Sequence, residues 1–222
     1  MSAFRSGLVA LAGRPNVGKS TLANALSGRH LAGVSPRPQT TRRRISAVVD
    51  GDQWQAVLLD LPGFQRSVDR RTARMQRTVD ARLEDSDAAL FLDSAPEPIG
   101  GGYRFIAERL RATGRPVIVV VNKVDRASPV QIAEHLATAT GLVPFEAAHP
   151  VSAATGAGIG ALRDDLPMLL HEGPRLFPAG VVTDQREEEL AAELIRECAL
   201  ARLRAERPHE LAVAIDDIVA AR

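Results

Sequence analysis

The sequence has little cysteine, little lysine and no long apolar run. Its single cysteine, Cys198, excludes an intrachain disulfide and a cysteine-rich metal site, and we interpret it as an inert thiol. No segment approaches the roughly 20 apolar residues of a membrane-spanning helix. The N-terminus also lacks the charged and then apolar layout of a secretory signal. These absences predict a cytoplasmic protein.

Length and composition are those of an ordinary globular protein. The 222 residues are 45% hydrophobic and 25% charged, and the net charge of +1 favours no class of partner. A chain of this length holds one ordinary domain and a remainder, or two small domains. We predict a first domain over residues 1–172, a linker over 173–183 and a small segment over 184–222.

A glycine-rich segment lies between an apolar run and an amphipathic one. It matches the pattern G-x-x-x-x-G-K-[ST], follows a predicted buried strand and precedes a predicted helix that Gly28 ends. In such a turn, backbone N–H groups surround a phosphate, Lys19 reaches the terminal phosphates and the Ser20 hydroxyl ligates Mg²⁺. The candidate phosphate-binding residues are Gly13, Arg14, Pro15, Asn16, Val17, Gly18, Lys19, Ser20 and Thr21.

The use of lysine supports this interpretation. Lys19 and Lys123 are the two lysines, and the other 26 of the 28 basic residues are arginines. A lysine fits where a slim point charge is needed and a broad planar guanidinium does not fit. The sequence therefore predicts a nucleoside phosphate ligand.

Two segments after the phosphate loop are candidates for sensing a γ-phosphate. Residues 29–45 have no helical or strand period, and one threonine of this loop, Thr40 or Thr41, would close onto Mg²⁺. An apolar strand then ends in an acidic residue that would hold Mg²⁺ through water, followed by a glycine whose N–H would meet the γ-phosphate. The residues of this second segment are Asp60, Leu61, Pro62 and Gly63.

A third motif, Asn122-Lys123-Val124-Asp125, follows a β-branched run and selects the base. The Asp125 carboxylate can accept from the N1–H and the exocyclic amine of guanine, a donor pair that adenine does not offer. Asn122 supports the base edge, and the Lys123 stem lies along the ring face. A backbone N–H near guanine O6 would come from a later loop, made of Ser152, Ala153 and Ala154.

Strand and helix patterns alternate through the first domain. The predicted strands are 8–12, 46–50, 54–59, 87–93, 116–121 and 145–151, and the predicted helices are 21–26, 103–112, 129–140 and one ending near Leu170. The second and third strands form a hairpin, and glycines 100–102 form a hinge. We predict a doubly wound α/β domain with one antiparallel edge hairpin and a ligand at the carboxyl edge of the strands.

The motifs GRPNVGKS, PQTTR, DLPG, NKVD and SA together resemble those of the Era family of ribosome-assembly GTPases. The linker sequence LFPAGVVTDQREEELAAELIRE is also similar, so the resemblance covers almost the whole chain. It implies a P-loop GTPase that hydrolyses GTP to GDP with Mg²⁺. Because the chain offers no obvious in-line general base or arginine finger, we expect this turnover to be slow. The resemblance further implies binding to small-subunit ribosomal RNA through a C-terminal KH domain, and a cytoplasmic monomer with peripheral association at the inner face of the membrane.

The resemblance also assigns roles to single residues. It makes Thr41 rather than Thr40 the third Mg²⁺ ligand. In related GTPases an asparagine at the position of Asn16 helps to hold K⁺, so K⁺-accelerated hydrolysis is expected. Phe64 stands where Ras-like proteins carry a water-orienting glutamine. The implied metal ligands are Ser20, Thr41 and Asp60, and the implied catalytic set is Lys19, Thr41, Asp60, Gly63 and Asn16.

The segment 184–222 departs from a complete KH domain. There is no glycine after Gly180, so the Gly-x-x-Gly loop that clamps RNA is not in this sequence, and ten acidic residues against six basic ones make a poor RNA surface. We predict a partial α+β KH-like segment here. The alternative function is a guanine-nucleotide-dependent protein-docking module without RNA-reading activity, whose partner surface would be residues 37–44 and 66–82.

Overall fold

The computed structural model describes residues 3–29, 45–61, 81, 83–183, 188, 191–192, 195, 199 and 213–215. Most of the predicted KH-like segment, including Cys198, lies outside the described residues. The strands are β1 (Arg5–Gly13), β2 (Ile45–Asp50), β3 (Trp54–Asp60), β4 (Ala88–Ser94), β5 (Val117–Asn122), β6 (Ala147–Pro150) and β7 (His171–Glu172). The helices are α1 (Lys19–Ser27), α2 (Gly101–Thr113), α3 (Pro129–Leu142) and α4 (Ile159–Asp165).

These strands form a mixed sheet in the order β2-β3-β1-β4-β5-β6, with the short β7 paired to β1. The pairs from β3 to β6 are parallel, and β2 lies antiparallel to β3 at one edge. The predicted α/β fold with an antiparallel edge hairpin is therefore confirmed. Parallel pairing brings the carboxyl ends of β1, β3, β4 and β5 to one edge of the sheet.

Helices cover both faces of the sheet. Successive side chains of β1 point to opposite faces, so both sets are buried. Val9 and Leu11 belong to a buried cluster with Leu22 of α1 and Leu162 of α4. Ala10 and Ala12 point to the other face, where the buried cluster includes Ile106 of α2 and Ala139 of α3. Among the described residues, α1 and α4 thus pack on one face of the sheet and α2 and α3 on the other, with β1 buried between them. The phosphate loop leaves this buried strand.

The start of α2 and the end of α4 differ from the prediction. The glycines expected to form a hinge instead begin α2, since Gly100 is its N-cap and Gly101 its first residue. The last helix ends at Asp165 and continues as a 3₁₀ turn over Leu166–Leu169. Pro167 has no N–H to donate to the carbonyl four residues earlier, and the Leu166 N–H donates to Arg163 O instead.

The predicted linker packs against the edge hairpin. The Gln55 side chain is fully buried; its Oε1 accepts from the N–H groups of Leu176 and Phe177 at 2.8 and 2.9 Å. Further along, the Val48 N–H donates to Val182 O at 2.8 Å. The boundaries of the three predicted segments stay predictions. In the described part of the chain, no helix combines the length and the apolarity that crossing a membrane requires.

Candidate nucleotide-binding site

The phosphate loop connects the last residue of β1 to the first residue of α1, as predicted. Gly18 has φ of 99°, and a Cβ there would lie 2.4 Å from Asn122 Nδ2. A Cβ on Gly13 would lie 2.8 Å from Val17 Cγ1 and 2.9 Å from the Leu92 carbonyl oxygen. Both glycines are therefore required by close packing, and Gly18 also by its left-handed backbone.

The N-terminus of α1 suits an anion. Its N-cap, Gly18, offers no side-chain acceptor, and the first turn contains no acidic residue. Lys19 is only 8% exposed, and its Nζ donates to the carbonyl oxygens of Gly13 and Arg14 at 3.3 and 3.2 Å. Burial lowers the pKa of the Lys19 amino group, an effect that the charge of Asp60 opposes. A poorly solvated cation beside the N-terminal N–H groups of a helix fits a phosphate.

Asn122 joins the phosphate loop to the loops that were predicted to bind the base. It is the last residue of β5 and is 1% exposed. Its Nδ2 donates to Val17 O at 2.9 Å, and its Oδ1 accepts from the Ala153 N–H at 3.0 Å. One side chain thus fixes the phosphate loop and the Ser152–Ala154 loop relative to each other and to the Asn122–Asp125 motif.

Lys123 makes a second connection between the same regions. Its backbone is left-handed, with φ of 62°, which is uncommon for a residue other than glycine. Its Nζ donates to Asn16 O at 2.6 Å and to Glu97 Oε1 at 3.0 Å. Asn16 is itself left-handed, with φ of 62°. The ammonium end is therefore bound to the phosphate loop and to Glu97.

That carboxylate, Asp125, is positioned by the loop after β6. Its Oδ1 accepts from Ser152 Oγ at 2.6 Å, and the same hydroxyl oxygen accepts from the Thr155 N–H at 3.2 Å. The hydrogen bond from Ser152 lowers the pKa of Asp125 below its ordinary value. The group is thus ionised at neutral pH and can accept hydrogen bonds from a base edge.

Two of the residues predicted to bind magnesium, Asp60 and Ser20, are described in the structure. Asp60 is the last residue of β3 and is paired in register with Leu11. Its carboxylate and the Ser20 hydroxyl are the hard oxygen donors that Mg²⁺ prefers. The described residues contain no group of three or more His, Cys, Asp or Glu suited to a metal.

Several predicted residues lie outside the described part of the chain. These are Thr40, Thr41, Pro62, Gly63 and Phe64. Leu61 is described and is fully buried. Ala154 is described in the turn that follows Ala153.

Sequence reasoning missed a polar cluster beside the site. Asp93, at the carboxyl end of β4, is fully buried and is hydrogen-bonded to His135 of α3. Burial raises the pKa of Asp93 against the opposing effects of His135 and Arg14. The position of Asp93 near the end of an apolar strand could have marked it as a candidate site residue, as the same position did for Asp60. Glu97 lies three residues after the end of β4, and nothing in the sequence around it indicated a role in the site.

Comparison with known proteins decides the family. A family model described as "50S ribosome-binding GTPase" matches residues 8–123. A protein from Mycobacterium sp. strain KMS named GTPase Era is 43% identical over 221 residues, which cover 98% of this chain and 74% of that protein. The chain belongs to the Era family of GTPases. The prediction from the motifs is confirmed, and with it an enzyme that hydrolyses GTP.

Solved structures of Era match the fold over nearly the whole chain. One is a variant of Aquifex aeolicus Era bound to GDP and AlF₄⁻, with a TM-score of 0.81 and 33% identity over 96% of this chain and 73% of that one. Another is Era in complex with MgGDPNP and a 16S ribosomal RNA fragment, with a TM-score of 0.82 and 33% identity at the same coverage. This chain thus spans about three quarters of the length of its Era relatives.

Proposed function

We propose that this Era-family chain is a guanine-nucleotide switch that acts on small-subunit ribosomal RNA during ribosome assembly. The observation that carries the proposal is the buried side chain of Asn122, which bonds the phosphate loop at Val17 and the base loop at Ala153. The chemistry for a triphosphate and the chemistry for guanine are therefore parts of one site. An Era bound to MgGDPNP and 16S ribosomal RNA supports the choice of partner.

The triphosphate of GTP would lie on the loop of residues 13–20, with the N–H groups at the start of α1 and the Lys19 ammonium meeting its charge. Ser20, Asp60 and Thr41 would hold Mg²⁺, which supplies charge neutralisation at the phosphates. Lys19 remains close to the loop carbonyls that now accept from it, so a small shift of its flexible stem brings it to a phosphate. Gly63 would donate its N–H to the γ-phosphate.

We expect slow GTP hydrolysis because of the residue that follows Gly63. Phe64 cannot orient an attacking water by hydrogen bonding, so positioning falls to backbone groups, as in switches with slow intrinsic hydrolysis. Asn16 is the proposed contact for K⁺, which would add positive charge beside the phosphates. Asn16 is exposed, so its side chain is accessible to an ion. Equal turnover in Na⁺ and K⁺ buffers would contradict this role.

The base assignment is tested with Asp125→Asn. An amide in place of the carboxylate offers a donor where guanine also donates, whereas xanthine presents an acceptor. We expect GDP affinity to fall at least roughly tenfold and xanthosine diphosphate affinity to rise, because a site built on hydrogen bonds rejects the base that leaves them unpaired. Arg111→Gln, at an exposed position of α2 far from the Asp125 carboxylate in sequence, is the control. Unchanged GDP affinity in Asp125→Asn would contradict the assignment.

The ribosomal partner is tested with the full chain. Binding to small subunits, large subunits and a fragment from the 3′ end of small-subunit RNA is measured with a non-hydrolysable GTP analogue and with GDP. Preferential binding to small subunits in the GTP-analogue state supports the proposal. Intact nucleotide affinity without any ribosome or RNA association would instead favour a protein-docking module. A cytoplasmic monomer with peripheral membrane association is proposed from the family alone, and sedimentation with and without vesicles tests it.

A further inference from the structure

Glu97 lies where the phosphate loop, the end of β4 and the base loop meet. Its N–H donates to Ser94 O at 3.0 Å, which closes a turn after β4. Its Oε1 accepts from Ser94 Oγ and from Lys123 Nζ, both at 3.0 Å, and its Oε2 accepts from Arg14 Nη2 at 3.4 Å. A single carboxylate thus connects three segments that are far apart in sequence.

The charge balance keeps this carboxylate ionised. Partial burial acts to raise the pKa of Glu97, but the hydrogen bonds from Lys123 and Ser94 and the charges of Lys123 and Arg14 outweigh it and lower the pKa. The Glu97 side chain is 38% exposed, while Lys123 and Arg14 are 25% and 22% exposed. Hydrogen bonds between ionised partners in such partly shielded surroundings are stronger and better oriented than those on an open surface.

The ammonium group of Lys123 needs an anionic partner such as the Glu97 carboxylate. Its backbone is left-handed, a conformation that persists only when the surroundings impose it. The Lys123 stem can lie along a base only if its ammonium end is fixed, and two acceptors fix it, Asn16 O and the Glu97 carboxylate. Removing the carboxylate leaves one acceptor and allows the long side chain to sample other rotamers.

We propose that Glu97 is a positioning residue for guanine nucleotide binding, which acts by holding Lys123 in place rather than by touching the nucleotide. The inference rests on the proposed guanine site. It predicts that Glu97 contributes to nucleotide affinity through the base loop and contributes little to the hydrolysis of bound GTP.

The test compares Glu97→Ala and Glu97→Gln with a matched control, Glu134→Gln. Glu134 lines the same cavity of about 610 Å³ between α3 and the segment after β4, but it is exposed on the helix. We expect Glu97→Ala to raise the Kd for GDP roughly tenfold and Glu97→Gln to raise it about threefold, because a charge-assisted hydrogen bond is lost in the first and weakened in the second. Glu134→Gln should match the wild type, and kcat at saturating GTP should change less than about twofold in all three.

A double-mutant cycle with Lys123→Met shows whether Glu97 acts through Lys123. In the Lys123→Met background, Glu97→Ala should change the Kd by less than about twofold. Inhibition by inorganic triphosphate, which has no base, should be the same in Glu97→Ala and the wild type. A purely structural role would not produce this pattern, because loss of folding lowers the binding of both ligands.

The outcomes separate the two proposals. If the wild type binds GDP but Glu97→Ala behaves like Glu134→Gln, the role of Glu97 is wrong and the guanine site stands. If Glu97→Ala still lowers GDP affinity tenfold in the Lys123→Met background, the proposed role of Glu97 is also wrong. If the wild type does not bind GDP, the proposed function itself fails and the inference fails with it.

Discussion

Replacing Asn122 with alanine should affect both folding and binding, because one buried side chain serves two loops. The substitution leaves the Val17 carbonyl and the Ala153 N–H without the partners they have at 2.9 and 3.0 Å. An unsatisfied buried polar group costs about 1–3 kcal/mol. With two such groups, we expect the free energy of unfolding of the nucleotide-free protein to fall by about 2–6 kcal/mol.

The same change should weaken nucleotide binding, since the two loops must then be ordered by the ligand. We expect a loss of about 100-fold in GDP affinity, equivalent to about 2.7 kcal/mol. At a GDP concentration 100 times the wild-type Kd, bound GDP stabilises the wild type by about 2.7 kcal/mol. The same concentration equals the Kd of Asn122→Ala, so the stabilisation falls to about 0.4 kcal/mol.

Urea denaturation with and without GDP measures both effects. Ser128→Ala is the matched control, because Ser128 caps α3 by accepting from the Gln131 N–H at 3.3 Å. Losing this cap costs about 1 kcal/mol and leaves the site unchanged. The control should therefore keep the full stabilisation by GDP. The reasoning is refuted if Asn122→Ala loses no more unfolding free energy than Ser128→Ala and is stabilised by GDP to the same extent.

Two further predictions concern the phosphate loop. Gly18→Ala should lower the free energy of unfolding by on the order of 3 kcal/mol, because its Cβ would lie 2.4 Å from Asn122 Nδ2. Gly28→Ala should cost only about 1 kcal/mol, since Gly28 is also left-handed but nothing lies within 4 Å of its Cβ; equal losses in urea denaturation would contradict the steric argument. Burial lowers the pKa of Lys19 in the free protein, and a bound phosphate favours the ammonium, so GDP binding should take up a proton and weaken as the pH rises toward 10.5, the ordinary value for lysine. Calorimetry in buffers of different ionisation enthalpy measures this uptake, and its absence at alkaline pH would contradict the prediction.

Edges and irregular ends were the least predictable parts of the fold. The alternation of apolar runs and amphipathic segments was enough to predict β1, the edge hairpin and the helices on both faces, since burial against a sheet imposes those periods locally. The start of α2 at Gly101 and the 3₁₀ turn after Asp165 depend on which backbone groups find partners. Those partners come from the three-dimensional packing and from single residues such as Pro167.

The sequence by itself determined the chemistry of the site. Each of its motifs is contiguous, and a strand that ends in a glycine-rich turn or in Asn122-Lys123-Val124-Asp125 presents its polar groups through local geometry alone. The tertiary structure alone decided how the motifs support one another. The Asn122–Val17 bond spans 105 residues, and the Lys123–Asn16 bond spans 107. They form because the parallel registers of β1, β4 and β5 bring Gly13, Leu92 and Asn122 to one edge, and no local pattern carries that alignment.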